Sequence, residues 1–401
     1  MQATTPQYRF NPAFQAPAGS AIRELFKYLS VPGMISFAGG YPAPALFDAA
    51  GLAEASAQAM SEPTSALQYG ASEGSPVLRE QLAALMARRG TPVGAGELMV
   101  TTGSQQGLDL LIRVLLSPGD RVLVERPTYP AALQAFRLAG CELSCIASDG
   151  EGLDVGALGA YLAEAPRPAR LLYCVPDFAN PTGACLPRTR RLELLALAAR
   201  HDLLIVEDDP YGALRFSGEP QASLLALSAE VEGARGRVVQ LSSLSKIVAP
   251  GLRVGWMVAP APIRQRCIIA KQTADLCTSS IDQQIAATYL ASGALERHLP
   301  KLRQGYAEKC RRMLDGVMAL GGQLEVVAPA GGMFVWGRLA KGRDAQALFE
   351  RAVGQGVMFV PGRAFYGEQA DPASLRLSFA APGLDDIDEG LRRLGRALAI
   401  E

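Results

Sequence analysis

VVQLSSLSKIVAPGLRVGW, residues 238–256, opens as an apolar run, Val238, Val239 and Leu241. It then breaks into Ser242, Ser243, Ser245 and Lys246 before Pro250 and Gly251 turn the chain. The run reads as a buried strand and the break as its end. Ligands of parallel α/β sheets bind beyond strand ends. A lysine there, seven residues before Arg253, therefore suggests an amine aimed at something anionic. A solvated loop lysine is the ordinary alternative, and the neighbouring segments decide between the two.

Several other segments repeat the pattern of an apolar strand followed by a chemically loaded break. In DLLIVEDDPYG, Leu203 to Val206 form a strand whose carboxyl end carries Glu207, Asp208 and Asp209, with Tyr211 just beyond. ARLLYCVPDFANPTG breaks at Asn180, and DRVLVERPTYP ends before Pro127 and Tyr129. LMVTTGSQQGLDLL is a short strand followed by a helix opening at Ser104 and Gln105, where free amides suit a phosphate. This rhythm predicts a mostly parallel sheet covered on both faces.

Before about Phe47 the chain is rich in Pro, Gly and Ala. One helical piece interrupts it, SAIRELFKYLS, with Ser20 as its cap and Arg23 largely off its apolar stripe. In ISFAGGYP, Gly39 and Gly40 allow a backbone to approach a ligand closely. Beyond Pro262 helical patterning dominates, including one long segment from about Gln283 to Met318. A smaller mixed unit closes the chain, and its strand SLRLSFA puts Leu375, Leu377 and Phe379 on one face and Arg376 and Ser378 on the other. The expected architecture is an α/β protein with a three-layer αβα large domain, residues 48–290, and a smaller α+β domain, residues 291–401. An N-terminal arm, residues 1–47, carries the substrate-contacting helix and packs with the small domain.

Composition excludes some classes of partner. Lys plus Arg and Asp plus Glu both total 39, so no global field favours nucleic acid or an anionic membrane. The seven cysteines are odd in number and form no CxxC pair, which argues against a zinc cluster or a disulfide framework and for a reducing compartment. With two histidines, a histidine-built metal site is not expected. The N-terminus lacks an apolar signal core, and no long uncharged apolar run follows, so the expected location is the cytoplasm.

The strand ends together supply an amine, a carboxylate, an amide, two tyrosines, an arginine and hydroxyls. This set fits a phosphorylated aromatic aldehyde. SSLSKIVAPGLRVGW, NPTG, EDDPYG, TTGSQQGLDLL and RLSF resemble the class I/II aminotransferases of pyridoxal-phosphate fold type I. ISFAGGYP, LQYGASEG, ERPTYP and VPGRAFY are similar to the subgroup of 2-aminoadipate and kynurenine-type aminotransferases and to effector domains of related bacterial regulators. The resemblance runs from about Ser20 to the C-terminus.

The resemblance implies pyridoxal 5'-phosphate as cofactor, with Lys246 as the Schiff-base lysine and Asp208 as partner of the ring nitrogen. Asn180 and Tyr211 would donate to the ring hydroxyl, and Tyr129 would stack on the ring. Ser104, Gln105, Ser243, Ser245 and Arg253 would form the phosphate cup, with Tyr69 reaching in from the neighbouring subunit of a homodimer. Arg376 would clamp the substrate α-carboxylate beside Asn180 and Gly40, and Arg23 would meet a substrate side chain. This chain departs from the subgroup pattern at Asp177 and Ala179, where Asn and Gln are usual, and at SSLS, where Gly-Thr-Phe-Ser is frequent.

The implied reaction moves an amino group between an L-amino acid of 2-aminoadipate, aromatic or branched type and the 2-oxoglutarate/glutamate pair. A lyase or decarboxylase on the same fold is the enzymic alternative, and a non-catalytic effector-sensing domain the other. The roughly 47 residues before the catalytic-like unit are too few for the regulators' DNA-binding domain, so no nucleic-acid partner is expected.

Overall fold

Strands buried on both faces carry near-continuous apolar runs, and the central strands here do so. In the computed structural model, residues 8–15, 19, 21–165, 167–340 and 342–400 are described. Val122, Val124, Leu171, Tyr173, Val206 and Val239 pack into one core, whereas Leu123, Leu172, Ile205 and Val238 pack into a second. The period-two alternation of a strand thus feeds two helical layers, one on each side of a sheet.

The strands are β1 (Ile35–Ser36), β2 (Leu98–Thr102), β3 (Arg121–Arg126), β4 (Glu142–Asp149), β5 (Gly152–Leu153), β6 (Leu171–Cys174), β7 (Leu204–Asp209), β8 (Val238–Ser243) and β9 (Val254–Val258), followed by β10 (Leu324–Val326), β11 (Phe334–Leu339), β12 (Val357–Met358), β13 (Val360–Pro361) and β14 (Ser374–Ser378). Among the described residues the large sheet has the order β2-β9-β8-β7-β6-β3-β4-β5. Its central pairings β4-β3-β6-β7-β8 are parallel, and β9 runs antiparallel to both β8 and β2. This reversal brings the start of β9, with Arg253 just before it, to the same edge as the ends of β2, β7 and β8.

A second sheet, β10-β11-β14-β13, is antiparallel. The short parallel pair β1-β12, with Ile35 opposite Val357, ties the N-terminal arm to it. Ser378 donates its amide to Phe37 O, which holds the arm against β14 as well. No helix among the described residues is long and apolar enough to cross a membrane.

Three local expectations change. The long segment near 283–318 is two helices, Ser280–Ala291 and Ala294–Met318, separated at Gly293, whose φ of 69° is the left-handed conformation a glycine adopts readily. The piece around Arg23 is a single α-turn, Ala21–Glu24, that tightens into a 3-10 stretch, Leu25–Ser30; Ser20, read as its cap, lies outside the described residues. Finally, β7 and β8 run further than the apolar runs alone suggest, so Asp208 and Ser243 are strand residues buried in the sheet.

Candidate active site

The polar residues singled out from the sequence gather largely at the carboxyl edge of the large sheet. Three consecutive acids end β7, and their neighbours separate their roles. Glu207 accepts amide hydrogens from Leu224 and Leu225 and the side chain of Gln240. Asp209 pairs with Arg89 at 2.6 Å. Asp208 has no cation beside it; its Oδ2 accepts the Tyr173 hydroxyl at 2.7 Å, and its Oδ1 is buried with no hydrogen-bond partner. Burial pushes its carboxyl up to about 7, against the lowering effect of the Tyr173 hydrogen bond and with a further rise from the Asp209 charge.

Lys246 ends a 3-10 turn, Leu244–Lys246, that follows β8 directly and is capped by Ser243 Oγ accepting from the Ser245 amide at 3.0 Å. Its Nζ donates to Gly40 O at 3.1 Å. Desolvation, then the charges of Arg253 and Arg376, bring its ammonium down to about 8. A lysine so placed reaches its neutral, nucleophilic form far more readily than a solvated one.

Arg376, on β14, is 1% exposed and reaches across from the second sheet. Its Nη1 donates to Asn180 Oδ1 and its Nη2 to Ala38 O, both at 2.6 Å, while its Nε is buried without a partner. The guanidinium lies 4.3 Å from the ring centre of Phe334 and 4.8 Å from that of Phe365. Desolvation lowers its pKa to about 10, and no carboxylate among the described residues pairs with it. Tyr211, buried beside Phe334, hydrogen-bonds with Asn180, and burial pushes its phenol upward.

The anion-binding corner forms where the helix Ser104–Leu115 begins. Its cap residue, Gly103, has φ 78° and offers no side chain, so the first amides have no side-chain cap. Gly255 of β9 passes so close that a Cβ there would lie 2.5 Å from Gly103 C and 2.6 Å from Ser104 N. Ser243 Oγ donates to Ser245 Oγ at 2.7 Å, Arg253 Nη2 reaches Thr102 O at 3.4 Å, and the Tyr129 hydroxyl reaches Gln105 Oε1 at 3.4 Å. Burial, then the Asp208 charge, raises the Tyr129 phenol, and the exposed Arg23 is among the arginines that oppose the rise. Tyr69 is 78% exposed and forms no side-chain hydrogen bond with this cup in its own protomer.

Tyr173, Phe334 and Phe365 belong to this cluster and escaped the reading of the sequence. An aromatic in an otherwise apolar strand carries no mark of function; only the pairing of β6 with β7 brings Tyr173 next to Asp208.

This donor set fits pyridoxal 5'-phosphate. Asp208 Oδ1 offers an unused buried acceptor to a protonated ring nitrogen, Lys246 an amine to an aldehyde, and the helix start with Ser243, Ser245 and Arg253 an anion cradle.

Comparison with known proteins agrees. Residues 34–394 match the family model of aminotransferase class I and II. The 2-aminoadipate transaminase of Thermus thermophilus is 42% identical over 94% of this chain and 94% of its own. Aromatic-amino-acid aminotransferase 1 of Thermococcus litoralis is 40% identical over 95% of this chain and 92% of its own. Among solved structures, an α-aminoadipate aminotransferase from Thermus thermophilus, complexed with N-(5'-phosphopyridoxyl)-L-leucine, superposes with a TM-score of 0.90 at 40% identity, covering 97% of both chains. Amino-group transfer is thereby favoured over elimination, decarboxylation or effector sensing. The chain belongs to the class I and II aminotransferases of pyridoxal-phosphate fold type I, and is a pyridoxal-phosphate-dependent transaminase.

Proposed function

We propose that this transaminase exchanges the amino group of an L-amino acid with an acidic, aromatic or branched side chain against the 2-oxoglutarate/glutamate pair. In this reading it works as a cytoplasmic homodimer in which Tyr69 completes the neighbouring subunit's phosphate cup. The arm 1–47, with its substrate-contacting helix, packs with the small domain 291–401, and residues 48–290 form the cofactor-binding domain. The observation that carries the reading is Arg376, a guanidinium buried without a carboxylate and pre-oriented by Asn180 and Ala38. A bidentate fork held in this way suits an α-carboxylate.

When bound, pyridoxal phosphate supplies an aldehyde carbon and a ring that accepts electrons as the substrate α-proton leaves. Arg376 holds the substrate carboxylate, and Asn180 fixes the plane of the guanidinium. Lys246 Nζ, eased toward its neutral form by burial, would take the proton from the substrate α-carbon and carry it. Asp208 Oδ1, unpartnered and buried, would hold a protonated ring nitrogen, with Tyr173 steadying the other carboxylate oxygen. Tyr129 would cover the ring, and Tyr211 with Asn180 would hold the ring hydroxyl.

Gly255→Ala forces β9 away from Gly103 and Ser104. Crowding of this kind costs on the order of 1–3 kcal/mol, and the expected result is weaker cofactor binding in a titration followed by visible absorbance. An unchanged midpoint would remove the phosphate role from this corner.

A panel of amino donors, read through the cofactor's absorbance in single half-reactions, tests the substrate class. Glutamate and at least one 2-aminoadipate, aromatic or branched donor convert the cofactor; failure of both glutamate and 2-oxoglutarate overturns the proposal. Arg23→Ala raises KM for acidic donors by about tenfold, the worth of one charged hydrogen bond, and leaves aromatic donors unchanged. An equal effect on both classes would deny Arg23 a part in selection.

A further inference from the structure

A cavity of about 580 Å³ opens beside the Lys246 cluster, between the loop after Asn180 and the second sheet. Its volume falls within the range of about 300–1,000 Å³ typical of small-molecule sites. None of the roles assigned above uses it. Trp336 and Tyr366 line it with ring centres 6.4 Å apart, and Pro127, Val327 and Pro329 extend the apolar wall. Flat apolar walls of this kind favour a planar aromatic body.

Three carboxylates and one guanidinium line it, and their partners differ. Asp149 and Glu151 are ion-paired with Arg190 at 2.7 and 3.3 Å, and Asp371 with Arg338 at 2.8 Å. Arg126 also lines the cavity; its guanidinium is oriented by Gln369 Oε1 at 2.5 Å and has no carboxylate within ion-pair distance among the described residues. Each lining acid thus has an arginine within ion-pair distance, Asp149 and Glu151 sharing Arg190, while Arg126 keeps capacity for an anion.

The cavity is separate from the carboxylate clamp. Trp336 pairs directly across the strands with Arg376 and packs edge-on against Phe365 at 5.6 Å, and the face of Phe365 meets the Arg376 guanidinium at 4.8 Å, so these rings form the wall between the cavity and that arginine. We propose that this cavity is a second small-molecule site, taking a flat aromatic monocarboxylate whose ring lies against Trp336 and Tyr366 and whose carboxylate meets Arg126.

Calorimetric titration of the holoenzyme with naphthalene-2-carboxylate tests the assignment, using Arg126→Gln to remove the charge, Ala328→Trp to fill the space and Arg376→Ala to disable the clamp. The expected result is saturable binding at one molecule per chain. It weakens at least about tenfold in Arg126→Gln, disappears in Ala328→Trp and persists in Arg376→Ala. Absence of binding at millimolar probe overturns the proposal, as does loss of binding only in Arg376→Ala. Wild-type binding by both cavity variants, with the cofactor colour retained, or preference for 2-naphthylmethylamine over the carboxylate, overturns it equally.

Discussion

Replacing Lys246 with alanine is expected to stop multiple-turnover transamination, with a loss of at least about 10²–10⁴-fold, the usual worth of a positioned proton carrier. The removed amine lies at the end of a short turn and makes one backbone contact, to Gly40 O, so the fold should persist. Single-turnover absorbance changes with and without added methylamine check the assignment. A free amine that partly restores the rate locates the defect in proton transfer, whereas wild-type turnover in the variant would move the chemistry elsewhere.

Asp208→Asn is expected to change activity and stability in opposite directions. Asp208 is buried with one oxygen unpartnered, and its folded-state pKa is raised to about 7 from 3.8. Between those values the native state binds more protons than the unfolded chain, so stability falls as pH rises through roughly 4 to 7 and stays reduced above. The neutral amide removes that loss while its oxygen still accepts the Tyr173 hydroxyl. Cofactor-free Asp208→Asn should therefore exceed the wild type at pH 8 by on the order of 2–4 kcal/mol, with little difference near pH 4. Activity falls by about 10²–10³-fold, because the ring nitrogen loses its anionic partner. Denaturant melts at both pH values decide it: a variant less stable than the wild type at pH 8 would mean the carboxylate is not strained in the native state.

Much of this was legible from the sequence because the information was local. A strand ending in EDDPYG or SSLSK announces both a buried run and a reactive edge, and the strand-helix rhythm dictates a parallel sheet with that edge in common. Which of Glu207, Asp208 and Asp209 keeps an unpartnered oxygen depends on a partner 120 positions away for Asp209 and on sheet register for Asp208. The resemblance supplied that choice; spacing alone could not. The aromatic cradle of Arg376 was invisible for the same reason, since Phe334 and Phe365 look like ordinary core residues until β11 and β13 pair with β14. At Gly293 the apolar period continued through a break that one left-handed glycine makes.

The segment after β1 has a further mechanical meaning. Ala38 O holds Arg376 and Gly40 O holds Lys246, while just upstream Ile35 and Phe37 donate their amides to Gly356 O and Met358 O around β12. One short ribbon therefore restrains both reactive cations and is itself fastened to the closing sheet. Whatever displaces that ribbon therefore displaces both side chains together.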